Sequence, residues 1–369
     1  MIVIVSCSHP SDDERIYHKQ ICSLVELGYA ISYFTRSKHK IDLSTSLVKH
    51  KNYSPKISVN SFIKRVDQNL RKLDYISAIQ IHETALLPLL KKNKSRSPHV
   101  KTIYDVHENM EALYRTFSKR IKPLKEILIY LRKYQESVYL KYVDQIILAN
   151  VPMTDVPYSR SGVPIKIIEN FPEKKYLNTA SGRNKKTRSI VYHGHLGPER
   201  GIKDLVEAME HIKSIQPDIT LSLIGSFRTK NFHKEIINMI HSLNLANNIF
   251  LIDQVSHSKI WKILNRHSVG VIPFKKTPLT EENTPTKLFE MMASGLEIVA
   301  TKLLPIQHFV DDSVHWAIPG DSLSIAEALL KSFDQKKDSV NISKNQNLIK
   351  EIYNWDERKE KYLSIFYSK

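Results

Sequence analysis

Short apolar, β-rich runs alternate with longer segments of helical period along this chain, and they do so in two successive series. In the first series the sequence predicts strands at 2–5, 31–34, 76–81, 102–104, 145–148 and 166–168. Ile16, Ile21, Leu24, Val25 and Leu27 fall on one face of a helix that Gly28 is placed to stop. The second series follows a polar connector at 178–188, with strands expected at 189–193, 220–224, 248–251, 269–272 and 297–300. Helices are expected at about 201–214, 231–243, 256–265, 285–293 and 322–333. Such alternation favours α/β architecture with parallel, doubly wound sheets. In sheets of this kind ligands bind beyond the carboxyl ends of the strands.

Length agrees with two domains, since 369 residues exceed what one core usually fills. The expected division is 1–172, 173–345 and a C-terminal helical segment, 346–369, whose Ile349, Ile352, Tyr353, Trp355, Tyr362, Ile365 and Phe366 argue for docking back on the first domain. Only Cys7 and Cys22 occur, so a disulfide framework is not indicated. No apolar run approaches the roughly 18 to 20 residues of a spanning helix. The net charge is +17, and residues 1–170 hold 27 basic and 16 acidic side chains against 28 and 22 in the remainder. An anionic partner for the first half follows: a bilayer, a nucleic acid or a polyanionic glycan.

The segment Glu281 to Gly295 is the most informative for chemistry. Pro285 suits a first helical turn and Gly295 a helix stop. A helix starting there directs unpaired N–H groups, with Thr286 and Lys287, at an anion. Glu290 would lie about 7 Å further along the axis, placed to accept hydrogen bonds from vicinal hydroxyls, and Glu282 falls in the preceding loop. Phosphates at the helix start, ribose along one side and sugar at the loop form a nucleotide-sugar layout. An ordinary amphipathic helix fits the same spacing.

Glu282 and Glu290, with seven residues between them and followed by Met-Met-Ala-Ser-Gly, resemble the E-x7-E signature of retaining GT-B glycosyltransferases, especially glycosyltransferase family 4. The likeness extends over nearly the whole chain and implies two Rossmann-like domains facing across a cleft. Val191 to Ala208 resembles the strand, Gly-rich turn and helix that open the donor domain. There the resemblance gives Gly194 to the turn and Arg200 to the donor pyrophosphate, and places His195 where many members carry a second basic residue. Tyr104-Asp105-Val106-His107-Glu108 resembles a strand-end segment whose histidine contacts the transferred sugar. His82-Glu83 ends another strand in a similar way. Ser8 to Ile16 replaces the usual Gly-Gly loop and resembles a subgroup with a His-Pro…Asp-x-Arg opening; Asp13 and Arg15 are then cleft-lining or simple helix caps. Asn170-Phe171-Pro172 resembles the interdomain Asn segment, for which a hinge is the plainer role.

The resemblance implies retention of configuration, with Glu282 and His107 as the residues that position the sugar and stabilise charge on it. No D-x-D occurs, and the helix start, Lys287 and Arg200 supply the positive charge a departing diphosphate needs, so no metal and no other cofactor is expected. G-x-G-x-x-G, P-loop, H-E-x-x-H and C-x-x-C motifs are absent, which removes the main support for dehydrogenase, kinase and zinc-enzyme readings.

Residues 115–141 interleave basic side chains, among them Lys119, Arg120, Lys122, Lys125, Arg132 and Lys133, with apolar and aromatic ones, as an interfacial helix requires. The expected partners are a nucleotide-sugar donor, a glycan or lipid-linked glycan acceptor and an anionic membrane surface, with no nucleic acid. The expected location is the cytoplasmic face of the plasma membrane, in bacterial cell-surface polysaccharide synthesis. An epimerase or phosphorylase of the same architecture and a catalytically degenerate membrane-bound subunit are the alternatives.

Overall fold

The computed structural model describes residues 1–38, 41–107, 109–153, 156, 158–180, 188–333 and 338–367. The chain forms two compact units: Met1–Asn170 with Glu357–Lys369, and Phe171–Asp356. Each is built on its own parallel sheet.

The first sheet runs β3-β2-β1-β4-β5-β6-β7, with β1 Ile2–Ser6, β2 Ile31–Arg36, β3 Val48–Tyr53, β4 Ala78–Ile81, β5 Lys101–Val106, β6 Gln145–Leu148 and β7 Ile165–Ile167. The order reverses beside β1, so the carboxyl ends of β1 and β4 flank a switch point. Those ends carry Ser6 to His9 and His82-Glu83. β3 was not expected from the sequence. It is an edge strand, Val-Lys-His-Lys-Asn-Tyr, buried only at its two ends, so it lacks the apolar run that marks the inner strands.

The helix after β1 differs from its expected form. Residues Glu14–Ile21 make a π-helix that continues into an α-helix at Cys22–Glu26, and Leu27, expected on the buried face, is 47% exposed. The widened turn brings Arg15, Lys19 and Gln20 into the interior, which an apolar-periodicity reading has no means to anticipate.

The second sheet runs β10-β9-β8-β11-β12-β13, with β8 Ser189–His193, β9 Thr220–Ile224, β10 Ile249–Ile252, β11 Val269–Ile272, β12 Glu297–Thr301 and β13 His315–Ala317. Here the order reverses between β8 and β11. The three-residue edge strand β13 was also missed. Most of the connector expected at 178–188 lies outside the described residues, as does Glu108.

The C-terminal segment is shared. Tyr353 packs in an aromatic cluster with Phe171, Phe289 and Phe309, and the Trp355 N–H donates to the Pro172 carbonyl at 2.8 Å, which holds residues up to Asp356 in the second unit. The rest joins the first unit: Arg358 pairs with Glu169 at 2.7 Å, and the buried Tyr362 hydroxyl donates to Gln80 Oε1 at 3.0 Å. Among the described residues no helix is long and apolar enough to cross a membrane.

Candidate functional site

In the second unit the site is assembled from the turns after β8, β9 and β11 and from the helix Thr286–Ala293. After β8 the chain turns at Gly194 (φ +109°), where a Cβ would come within 2.9 Å of Lys287 Nζ, so glycine is what lets that ammonium approach. Gly201 (φ +68°) is tighter still: a Cβ there would lie 1.7 Å from the Pro273 carbonyl oxygen. This close approach fixes Arg200, immediately before Gly201, beside the Phe274 ring at 4.5 Å.

Lys287 Nζ donates to the Tyr192 hydroxyl at 2.8 Å and lies 5.0 Å from the Phe274 centroid. Burial, reinforced by Arg200, holds its pKa well below the usual lysine value. The helix it belongs to starts at Thr286, and no side chain caps it. Pro285, expected inside the first turn, is instead the residue preceding the helix, and its φ of −77° and ψ of 102° give it a β-like conformation. Glu282 is half-buried in the turn just before, where the Asn283 N–H donates to Leu279 O at 3.1 Å. Thr284 Oγ1, Asn283 Oδ1 and Arg200 Nε are buried with no hydrogen-bond partner among the described residues. Buried polar atoms are rarely left so, and Asn283 and Thr284 directly precede the helix start.

One full turn along that helix, Glu290 lies between two imidazoles. His257 Nε2 is 3.2 Å from Oε1, and His193 Nε2 is 3.3 Å from Oε2 without the alignment of a hydrogen bond. Burial lowers His193 to about 4, against the pull of Glu290. Tyr176 and Trp261 stack at 4.1 Å with His257 edge-on to both, an aromatic wall close to the carboxylate. His195 is exposed, and its Nδ1 lies 3.5 Å from Ser226 Oγ.

The first unit gathers a second strand-end cluster. Asp105 of β5, fully buried, accepts from Arg15 Nε at 3.2 Å, Arg15 Nη2 at 3.0 Å and Gln20 Nε2 at 2.6 Å. The third Arg15 nitrogen donates to the Ile168 carbonyl at 2.8 Å. His107 Nε2 lies 3.2 Å from Asp105 Oδ2 and 2.8 Å from His82 Nδ1. Burial brings His107 down to about 4 in spite of Asp105, so its ring is neutral near pH 7.

The alternatives left open for Arg15 and Asp13 are decided here. Arg15 is 3% exposed and its guanidinium is spent on a buried pair, so it does not line a cleft. Asp13 Oδ1 accepts from the N–H groups of Arg15 and Ile16, which makes it the helix cap. His82 is wholly buried, and its Nδ1 lies 2.8 Å from His107 Nε2. Glu83 accepts from the N–H groups of Cys7 and Ser8, from Ser6 Oγ and from His9 Nδ1, thereby shaping the loop after β1. Burial pushes its carboxyl up, but the His9 contact and the other donors bring it down to about 2.

Among the described residues one group, His82, Asp105 and His107, has ligand atoms close enough together for a metal ion. Arg15 and Gln20 already occupy both Asp105 oxygens, and a guanidinium beside the carboxylate repels a cation. The geometry is that of an internal hydrogen-bond network.

Lys119 and Arg120 lie between the helices Met110–Phe117 and Lys122–Leu140. The second helix buries only Ile129 and Leu140, while Ile127, Tyr130, Leu131 and Tyr134 are each more than half exposed. Part of the charge is paired locally: Lys133 bonds Glu111 at 2.8 Å, Lys125 Nζ donates to the Arg115 carbonyl at 3.1 Å, and Arg132 lies over Tyr114.

Residues 174–349 match the model described as Glycosyl transferases group 1. The second unit therefore carries a group 1 glycosyl transferase domain. Over 293 residues, 76% of the chain and 70% of the relative, it is 20% identical to a lipopolysaccharide 1,2-N-acetylglucosaminetransferase of Salmonella typhimurium. Sucrose-phosphate synthase from Thermosynechococcus elongatus shares the fold at TM-score 0.74 and 16% identity, covering 99% of this chain and 98% of that one. An Escherichia coli trehalose-6-phosphate protein bound with UDP-2-fluoro glucose shares it at TM-score 0.70 and 11% identity, again over 99% and 98%. Both units thus have the Rossmann-like sheets of GT-B proteins.

Several neighbours in these clusters were not singled out from the sequence. His193 ends β8, Arg228 follows β9, Tyr192 lies within β8, and His257 opens a helix. Their common signal is nearness to a strand's carboxyl end, a position that many residues share.

Proposed function

We propose that the group 1 glycosyl transferase domain binds a nucleoside-diphosphate sugar and that the chain transfers its sugar, with retention and without a metal ion, to a glycan or lipid-linked glycan of the cell surface. The observation that carries this reading is the uncapped start of the helix Thr286–Ala293, with Arg200 and Lys287 beside it and Glu290 one turn on. Cations and unspent N–H groups match a diphosphate, and a carboxylate 5 to 7 Å along the axis matches ribose hydroxyls. The aromatic pair Tyr176 and Trp261 near His257 suits the base side. The UDP-2-fluoro glucose held by the E. coli neighbour and the name of the Salmonella relative support donor class and acceptor class respectively.

On this reading Glu282 contacts the sugar and His107 stabilises charge that develops on it. Leaving-group charge is met by Arg200, Lys287 and the helix start, so a cation is not needed. The exposed apolar and basic helix Lys122–Leu140 serves peripheral attachment to an anionic leaflet.

The test is a calorimetric screen of UDP, GDP, ADP and their sugars, followed by turnover of the best donor with and without EDTA and NMR of the product anomer. Selective binding, activity that survives chelation and a retained anomer are expected. Absence of binding to every nucleotide would overturn the donor reading; loss of activity with EDTA would overturn metal independence.

A further inference from the structure

We propose that Arg228 is a second diphosphate-binding cation of the donor site, carried to Arg200 by the turn after β9. The inference rests on the donor reading above and deepens it.

The backbone fixes Arg228 in place. Leu196 and Phe227 form a parallel bridge: the Leu196 N–H donates to Ser226 O at 3.0 Å and the Arg228 N–H donates to Leu196 O at 2.9 Å. This zipper sets Arg228 beside the turn that leads to Arg200. Glu199 then joins the two guanidiniums. Its Oε1 accepts from Arg228 Nε at 3.1 Å and Nη2 at 2.8 Å, and the same oxygen is 3.4 Å from Arg200 Nε. The carboxylate is tucked beneath Gly197, where a Cβ would meet Oε2 at 2.4 Å.

Glu199 is nearly sealed from solvent, at 4% exposure, whereas Arg228 keeps 30% of its side chain exposed. One buried carboxylate therefore orients two arginines, with Lys287 close by. Two guanidiniums share one carboxylate in this turn cluster, an excess of positive charge that suits an anion with several oxygens.

His195, which precedes both arginines in the chain, is a poor substitute. Burial and the charges of Arg228, Arg200 and Lys287 all lower its pKa, so the imidazole is neutral at physiological pH. The fixed charge on that side of the turn comes from Arg228.

The nucleoside diphosphate that the wild-type chain binds most tightly among UDP, GDP and ADP is titrated calorimetrically into Arg228→Met, alongside the parent nucleoside. The expected result is about a 10- to 100-fold loss of affinity for the diphosphate with nucleoside affinity unchanged. His195→Arg in the Arg228→Met background is expected to restore most of the loss. Arg228→Gln, which keeps a donor for Glu199, replaces the Met variant should that not fold. Diphosphate affinity unchanged in these variants overturns the inference and leaves Arg228 as a structural partner of Glu199. Failure of the wild-type chain to bind any of the three diphosphates removes the donor reading and this inference with it.

Discussion

Lys287 holds its ammonium nitrogen 2.8 Å from the Tyr192 hydroxyl oxygen and 3.9 Å from the centroid of that ring. The pair lies beneath the turn at Gly194, in surroundings that oppose a positive charge until an anion arrives. Burial and Arg200 depress the lysine pKa, whereas a bound diphosphate would raise it. Binding is therefore expected to take up protons, and affinity to fall as pH rises. Titrations in two buffers of different ionisation enthalpy measure the uptake. Lys287→Met should abolish it and weaken binding by more than tenfold; zero uptake in the wild-type chain would contradict the assignment.

Arg15 and Asp105 form a buried pair with two N–H···O bonds. Removing one member leaves an uncompensated charge, so Arg15→Met is expected to cost about 3 to 5 kcal/mol. Urea unfolding checks this, and a shift below 1 kcal/mol would show that the pair is dispensable.

Acid should destabilise the chain in two stages. His107 and His193 are lowered from 6.5 to about 4, so the unfolded chain binds more protons between those values and stability drops as pH falls through that range. Glu83, lowered from 4.5 to about 2, contributes roughly 3 kcal/mol above pH 4.5 that is lost on descent toward pH 2. Glu83→Gln should shrink the second stage, to which Asp105, held low beside Arg15, also contributes, and leave the first, as read from unfolding midpoints against pH.

Gly201→Ala forces a Cβ against the Pro273 carbonyl at a positive φ. The backbone must move, at about 3 kcal/mol or more, and Arg200 moves with it. Lower thermal stability together with weakened nucleotide binding is the expected outcome; a variant as stable as wild type would show that the turn has slack.

On the peripheral-membrane proposal, Ile127→Ser with Tyr130→Ser and Tyr134→Ser removes exposed apolar contacts without touching the core. Co-sedimentation with vesicles containing phosphatidylglycerol should fall sharply, and wild-type binding should weaken with salt, since each basic residue near the leaflet adds about 1 kcal/mol. Equal binding by wild-type and variant chains would refute the role of this face.

Sheet strands with both faces covered were legible because their sequences are apolar throughout. β8, β9 and β11 match their expected bounds to the residue. The edges β3 and β13 were not, because a strand paired on one side needs no apolar run. The segment around Glu282 and Glu290 was legible through its spacing and flanks, yet nothing local announced that Glu290 faces His193 and His257.

By itself the sequence determined which segments become strands and helices and where a helix start with Lys287 and Glu290 falls, since periodicity and turn chemistry are local properties. Only tertiary structure decided that Arg15 closes on Asp105, 90 residues away, rather than lining a cleft, and that Arg228 meets Glu199. Such pairings are set by which strand ends lie side by side, and parallel strand order depends on crossover connections that no local pattern encodes.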